Sequence, residues 1–113
     1  MKGSNLGEFE ELVLLAVRRL GDEATGSAIQ EVLERAARRR ATLGAIYAAL
    51  DRGARKGLVE SWLGEPAPVP GGRARRHYAV TRAGEAALRE SRRVREVLWR
   101  PLDGQAAEDL GFE

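Results

Sequence analysis

A mainly helical fold carrying one small β-hairpin is what the sequence predicts, and three observations predict it. Apolar residues recur with a helical period through the first half of the chain. Near residue 58 that period gives way to a β-branched and aromatic run, followed by a stretch rich in proline and glycine. After residue 81 a helical pattern returns with 4-3-4 spacing. With 113 residues and 36 charged side chains, the chain has the length of one domain with a modest core.

The elements follow in order. Phe9, Leu12, Val13, Ala16, Val17 and Leu20 recur at helical spacing, predicting a first helix of 13 residues or so that Gly21 stops. Glu8, Glu10 and Glu11 stand in its first turn and Arg18 and Arg19 in its last, matching the helix dipole. Ile29, Val32, Leu33 and Ala36 give a second helix, capped by Thr25 or Ser27 and running out in Ala37-Arg38-Arg39-Arg40. A third begins at the N-cap Thr42, with Leu43, Ile46, Tyr47, Leu50 and Ala54 expected on its inner face and Gly44, Ala45, Ala48 and Ala49 on its outer one. Leu58–Leu63 reads as a strand. The stretch 64–72 holds three of the four prolines and is expected to be neither helix nor strand interior. Arg73–Thr81 reads as a basic return strand, with Arg73 and Arg75 on one side and Arg76 on the other. Thr81 caps a long last helix, Arg82 to about Arg100, ended by Pro101. Its seam is Ala87, Ser91, Val94 and Leu98, widened by Ala83, Leu88, Val97 and Trp99.

Three helices, a hairpin and a closing helix is the order of a winged helix-turn-helix, in which the third helix can lie in a DNA major groove. The predicted organisation is a DNA-binding unit over residues 6–81, a dimerisation helix over 82–100 and an acidic tail over 101–113.

Charge position agrees with that reading. The net charge of +2 hides a segment, residues 38–82, with ten basic and three acidic residues, and a final thirteen residues with four acids and no base. Arg38, Arg39 and Arg40 precede the third helix, Arg52, Arg55 and Lys56 lie along it, and Arg73, Arg75 and Arg76 lie on the wing. Such a concentration of cations marks a polyanion partner. An Arg-rich solvated surface accounts for the same composition without a partner, and both readings stand at this point.

Other functions find little support. The chain has no Cys, one His and four Ser, so it offers no thiolate metal site, thiol chemistry or plausible triad. Gly71-Gly72 is not followed by the residues of a phosphate loop. His77 lacks companions at ligand spacing and reads as a strand residue. No cofactor is expected. No apolar run approaches the ~18 residues of a membrane span, and Met1–Asn5 lacks a signal-peptide stretch, so a cytoplasmic protein is expected.

Taken together, five motifs resemble the PadR-like transcriptional regulators: Gly7–Leu15, Thr42–Leu50, Lys56–Val59, Gly71–Tyr78 and Val80–Gly84. The resemblance covers residues 7 to about 100 and is similar to the subgroup with a single C-terminal helix. It implies a dimeric repressor whose first and last helices pair the subunits, and whose ligand, where one exists, binds near that interface. The chain departs from the pattern in three places. Thr25-Gly26-Ser27-Ala28-Ile29 keeps only the Gly and Ile of the usual Tyr-Gly-Tyr-Glu-Ile. Gly53 replaces a usual Leu, at a helix-propensity cost of about 1 kcal/mol. Ala74 replaces the usual Pro of the wing.

The candidate DNA-binding residues are Arg40, Thr42, Gly44, Ala45, Tyr47, Arg52, Arg73, Arg75 and Arg76. The wing arginines are the strongest candidates. Thr42, Gly44 and Ala45 allow close approach, and alanine can meet a thymine methyl, but the helix offers no bidentate donors short of Arg52. Tyr47, with its ring packed inward, has a hydroxyl within reach of a phosphate. The candidate dimer interface is Phe9, Val13, Leu88, Ser91, Val94 and Leu98. Trp99 is the candidate for stacking a small aromatic effector across a two-fold axis, or else for packing against the partner's first helix. The expected partners are a palindromic double-stranded DNA operator and a second copy of the chain. A protein-binding winged helix and a MarR-like repressor are the alternatives.

Overall fold

The computed structural model describes residues 6–66, 68–101 and 111. The expected acidic tail, residues 101–113, therefore lies almost wholly outside the described residues.

Six elements follow in the predicted order: helix α1 (Glu8–Leu20), helix α2 (Gly26–Ala37), helix α3 (Leu43–Arg55), strand β1 (Val59–Pro66), strand β2 (Ala74–Val80) and helix α4 (Arg82–Trp99). A 3-10 turn, Gly21–Glu23, follows α1. Three threonines start helices. Thr25, Thr42 and Thr81 each accept a hydrogen bond from the amide three residues on, at Ala28, Ala45 and Gly84. Each satisfies one of the donors that a helix start leaves free.

The core gathers Val13, Leu14 and Val17 of α1, Ile29 and Leu33 of α2 and Ile46 and Leu50 of α3. Leu58, Val59 and Tyr78 of the hairpin region close it, with Ala87 and Leu88 of α4. Helix α4 joins this core through a close approach. A Cβ on Gly84 would collide with the Leu58 carbonyl and would lie 2.6 Å from Val80 Cγ1. Thr81 locks the same corner, its hydroxyl donating to the Gly57 carbonyl and its amide to that of Leu58.

Three expectations are corrected. The inner face of α3 is Ile46, Ala49, Leu50 and Gly53, whereas Leu43, Tyr47 and Ala54 are exposed. Small residues decide this. A Cβ on Gly53 would lie 3.2 Å from Val59 Cγ1 and 3.7 Å from Leu14 Cδ2, so α3 packs close on that side. Strand β1 also runs on through Gly64 and Glu65 to end at Pro66, so the first residues of the stretch expected to be neither helix nor strand interior belong to the strand. A register shift between Leu63 and Pro66 admits the proline, which an edge strand tolerates. Finally, Val13 is fully buried in the core of its own chain and has no surface to offer a partner.

The hairpin tip is a tight turn. The Gly72 amide donates to the Val69 carbonyl at 2.9 Å, and Gly71 has φ +77°. Pro70 followed by a positive-φ glycine is the pattern of a type II turn.

Candidate nucleic-acid interface

The exposed start of α3 comes first. The segment ahead of it is held by Gln30, whose Nε2 donates to the Ala41 carbonyl at 2.8 Å. From there Thr42, Gly44, Ala45, Tyr47 and Ala48 stand on the outside. Thr42 is occupied as the cap, so its hydroxyl already accepts from Ala45. No charged side chain occurs between Thr42 and Leu50. This half of the helix can approach a surface closely.

Tyr47 sits at the edge of this face, 45% exposed. Its hydroxyl end lies over Gly26 in the first turn of α2; a Cβ there would collide with the hydroxyl oxygen and come within 2.8 Å of the two nearest ring carbons. A larger residue there would displace the Tyr47 side chain from this position. The ring expected to pack inward is instead half-exposed, and the hydroxyl end is the part that lies against Gly26. Tyr78 lies close by. Burial and neighbouring Tyr47 push its phenol above the usual tyrosine range, with Arg76 opposing.

The wing approaches the same end of α2. The Tyr78 amide donates to the Ala24 carbonyl at 3.0 Å, and Thr25 and His77 form a bridge. His77 Nδ1 lies 2.9 Å from the Asp22 carbonyl oxygen, and its ring stacks on Trp62 at 5.8 Å between centroids. Trp62 therefore packs within the wing, and His77 is a strand residue, as expected. Arg75 and His77 line a cleft with Thr25 and Ser27 at the start of α2, and Glu23 and Glu31 share it. The start of α2 thus lies between Tyr47 on one side and Arg75 on the other. The sequence suggests Ser27 only as a possible cap. Its place in this cleft carries no signal in the sequence, because the wing that forms the other wall is remote along the chain.

The cations divide into two groups. Among the described residues no ion pair engages Arg73 or Arg75, and both are exposed. Arg76 donates to the Ser61 hydroxyl at 3.0 Å. The cations around α3 are engaged instead. Arg40 lies 3.7 Å from Glu34, and Arg39 pairs with Glu8 at 3.4 Å while its guanidinium covers the Phe9 ring. Arg52 and Lys56 both face Glu10, at 3.7 and 2.8 Å, and Arg55 pairs with Asp51.

A second surface lies between α1 and α4. Glu11 accepts from the Ser91 hydroxyl at 2.8 Å and pairs with Arg95 at 2.8 Å, while Arg18 reaches Glu85 at 2.9 Å. These bonds border a groove of about 480 Å³ lined by Leu12, Leu15 and Leu88. Beyond it Val97 is buried, but Val94 is exposed, Leu98 is 68% exposed and Trp99 86%. Of the residues expected at a dimer contact, Val94 and Leu98 are thus available, Leu88 floors the groove, Ser91 is half-buried on Glu11, and Phe9 is half-buried under Arg39. Among the described residues no helix is long and apolar enough to cross a membrane.

Solved structures share this architecture. A PadR-like transcription factor from Bacteroides fragilis matches with a TM-score of 0.68 and 26% identity, over 80% of this chain and 82% of that one. A PadR family transcriptional regulator from Eggerthella lenta matches with a TM-score of 0.65 and 25% identity, over 80% of this chain and 73% of that one. Bacillus subtilis PadR in complex with operator DNA shares the fold at a TM-score of 0.61 and 18% identity, over 85% of this chain and 50% of that one. No curated protein matches the chain by sequence. The sequence itself matches the transcriptional regulator PadR-like family over residues 13–90, and with the winged helix-turn-helix described above this chain belongs to that family.

Proposed function

We propose that the chain acts in the cytoplasm as a homodimeric, sequence-specific binder of double-stranded DNA and represses transcription from a palindromic operator. The observation that carries this reading is the meeting of two unlike surfaces at the start of α2. One is the uncharged, small-residue face of α3, which can enter a groove. The other is the wing, whose Arg73 and Arg75 are exposed without ion pairs among the described residues. Groove entry supplies base contacts and the wing supplies phosphate contacts. Thr42, Gly44 and Ala45 take the first role, and Arg73, Arg75 and Arg76 the second, with the Tyr47 hydroxyl beside them; Arg40 joins them only by leaving Glu34, 3.7 Å away. The operator-bound Bacillus subtilis protein of the same fold supports the reading by analogy.

Dimerisation through α1 and α4 rests on the bare apolar end of α4, since a surface carrying Val94, Leu98 and Trp99 together calls for cover. An aromatic effector stacked on Trp99 would act by altering that pairing, and hence the separation of the two α3 helices. Selection of bound sequences from a random duplex pool tests the function. A palindrome with half-sites about 34 Å apart is expected. Recovery of no motif, or of an asymmetric one, would contradict it.

A further inference from the structure

Glu10 is a buried carboxylate in the first turn of α1, only 4% exposed. Its Oε1 accepts from Lys56 Nζ at 2.8 Å and from the Gly7 amide at 3.4 Å. Its Oε2 lies 3.7 Å from Arg52 Nε, too far for a hydrogen bond, and has no other hydrogen-bond partner among the described residues. A buried charge with one oxygen unsatisfied is a poor way to stabilise a fold, and apolar side chains of similar volume usually do as well or better. The helix dipole at the start of α1 offsets part of the cost. The carboxylate also captures two of the three cations at the far end of α3, while Asp51 engages the third, Arg55. Among the described residues no ion pair engages Arg73 or Arg75, although Glu23 and Glu31 line the same cleft as Arg75.

We infer that Glu10 is a specificity-determining residue, one that withholds Arg52 and Lys56 from DNA phosphates. The inference rests on the DNA-binding reading above and deepens it. Sequence-independent affinity grows with each phosphate a protein neutralises, whereas base readout depends on how closely the helix enters the groove. Holding two cations against an internal carboxylate lowers the first term and leaves the small, uncharged face of α3 to supply the second. Arg52 thereby leaves the set of direct base readers in which the sequence placed it.

The test compares the full chain with the isosteric variant Glu10→Gln, by fluorescence anisotropy on the selected operator and on an unrelated duplex, across a range of KCl concentrations. The freed cations should steepen the salt slope on both duplexes by about one to two units. The preference for the operator should fall several-fold. An unchanged or shallower slope in a folded Glu10→Gln protein overturns the inference. A second variant, Arg52→Gln, keeps Lys56 paired with Glu10 and should leave the slope unchanged; a drop of about one unit there overturns the inference as well, whether or not Glu10→Gln folds. Circular dichroism melts establish which variants are folded. A wild-type chain that binds no duplex sinks the DNA-binding reading itself, and this inference with it. Wild-type binding without the expected change in the variants sinks the role of Glu10 alone.

Discussion

At the scale of single residues, small side chains at packing positions shape the molecule. Gly26 makes room for the Tyr47 ring, Gly53 lets α3 close on Val59 and Leu14, and Gly84 lets α4 start against the Leu58 carbonyl. These close approaches explain why the inner face of α3 is only partly legible in the sequence. Apolar periodicity weights large residues, so it selects Leu43 and Tyr47 and passes over Ala49 and Gly53, which are buried because they are small. The buried acids are equally hidden. Glu10 and Glu11 read as ordinary first-turn glutamates, since their partners Lys56, Ser91 and Arg95 are remote in sequence. Gly84→Ala is the residue-scale test. The added methyl meets backbone, which cannot rotate away, so the variant should be destabilised by about 1–3 kcal/mol in a urea melt. A midpoint equal to that of wild type would show that α4 is free to shift.

At the scale of elements, the threonine caps, the helix bounds and the switch from helical to strand pattern are readable, because each rests on local chemistry: a hydroxyl, a turn glycine, a β-branched run. The continuation of β1 to Pro66 is not, because the proline is admitted by a register shift that depends on the partner strand. Helix α4 has a double character. Its first half is built into the core through Gly84, Ala87 and Leu88, whereas Val94, Leu98 and Trp99 project bare apolar surface. A partner helix is the occupant that the dimer proposal assigns to that surface. Val94→Glu with Leu98→Glu places charges on side chains that face solvent within a single chain. The double variant should keep its fold and run as a monomer in light scattering. A dimer that persists would place the interface elsewhere.

At the scale of the whole molecule, charge is sorted rather than merely abundant. Cations near α3 are held by the protein's own acids, while those of the wing are left available. The segment of +7 visible in the sequence therefore overstates what is free to meet DNA, and only the fold distinguishes the two groups. The central claim is that the wing supplies phosphate contacts beside a recognition helix of small residues. It is tested most directly by the salt dependence of operator binding in Arg73→Ala/Arg75→Ala. Binding to every duplex should weaken, and the slope should become shallower by about one unit for each phosphate that the wing no longer neutralises. A folded double variant with an unchanged slope would contradict the claim.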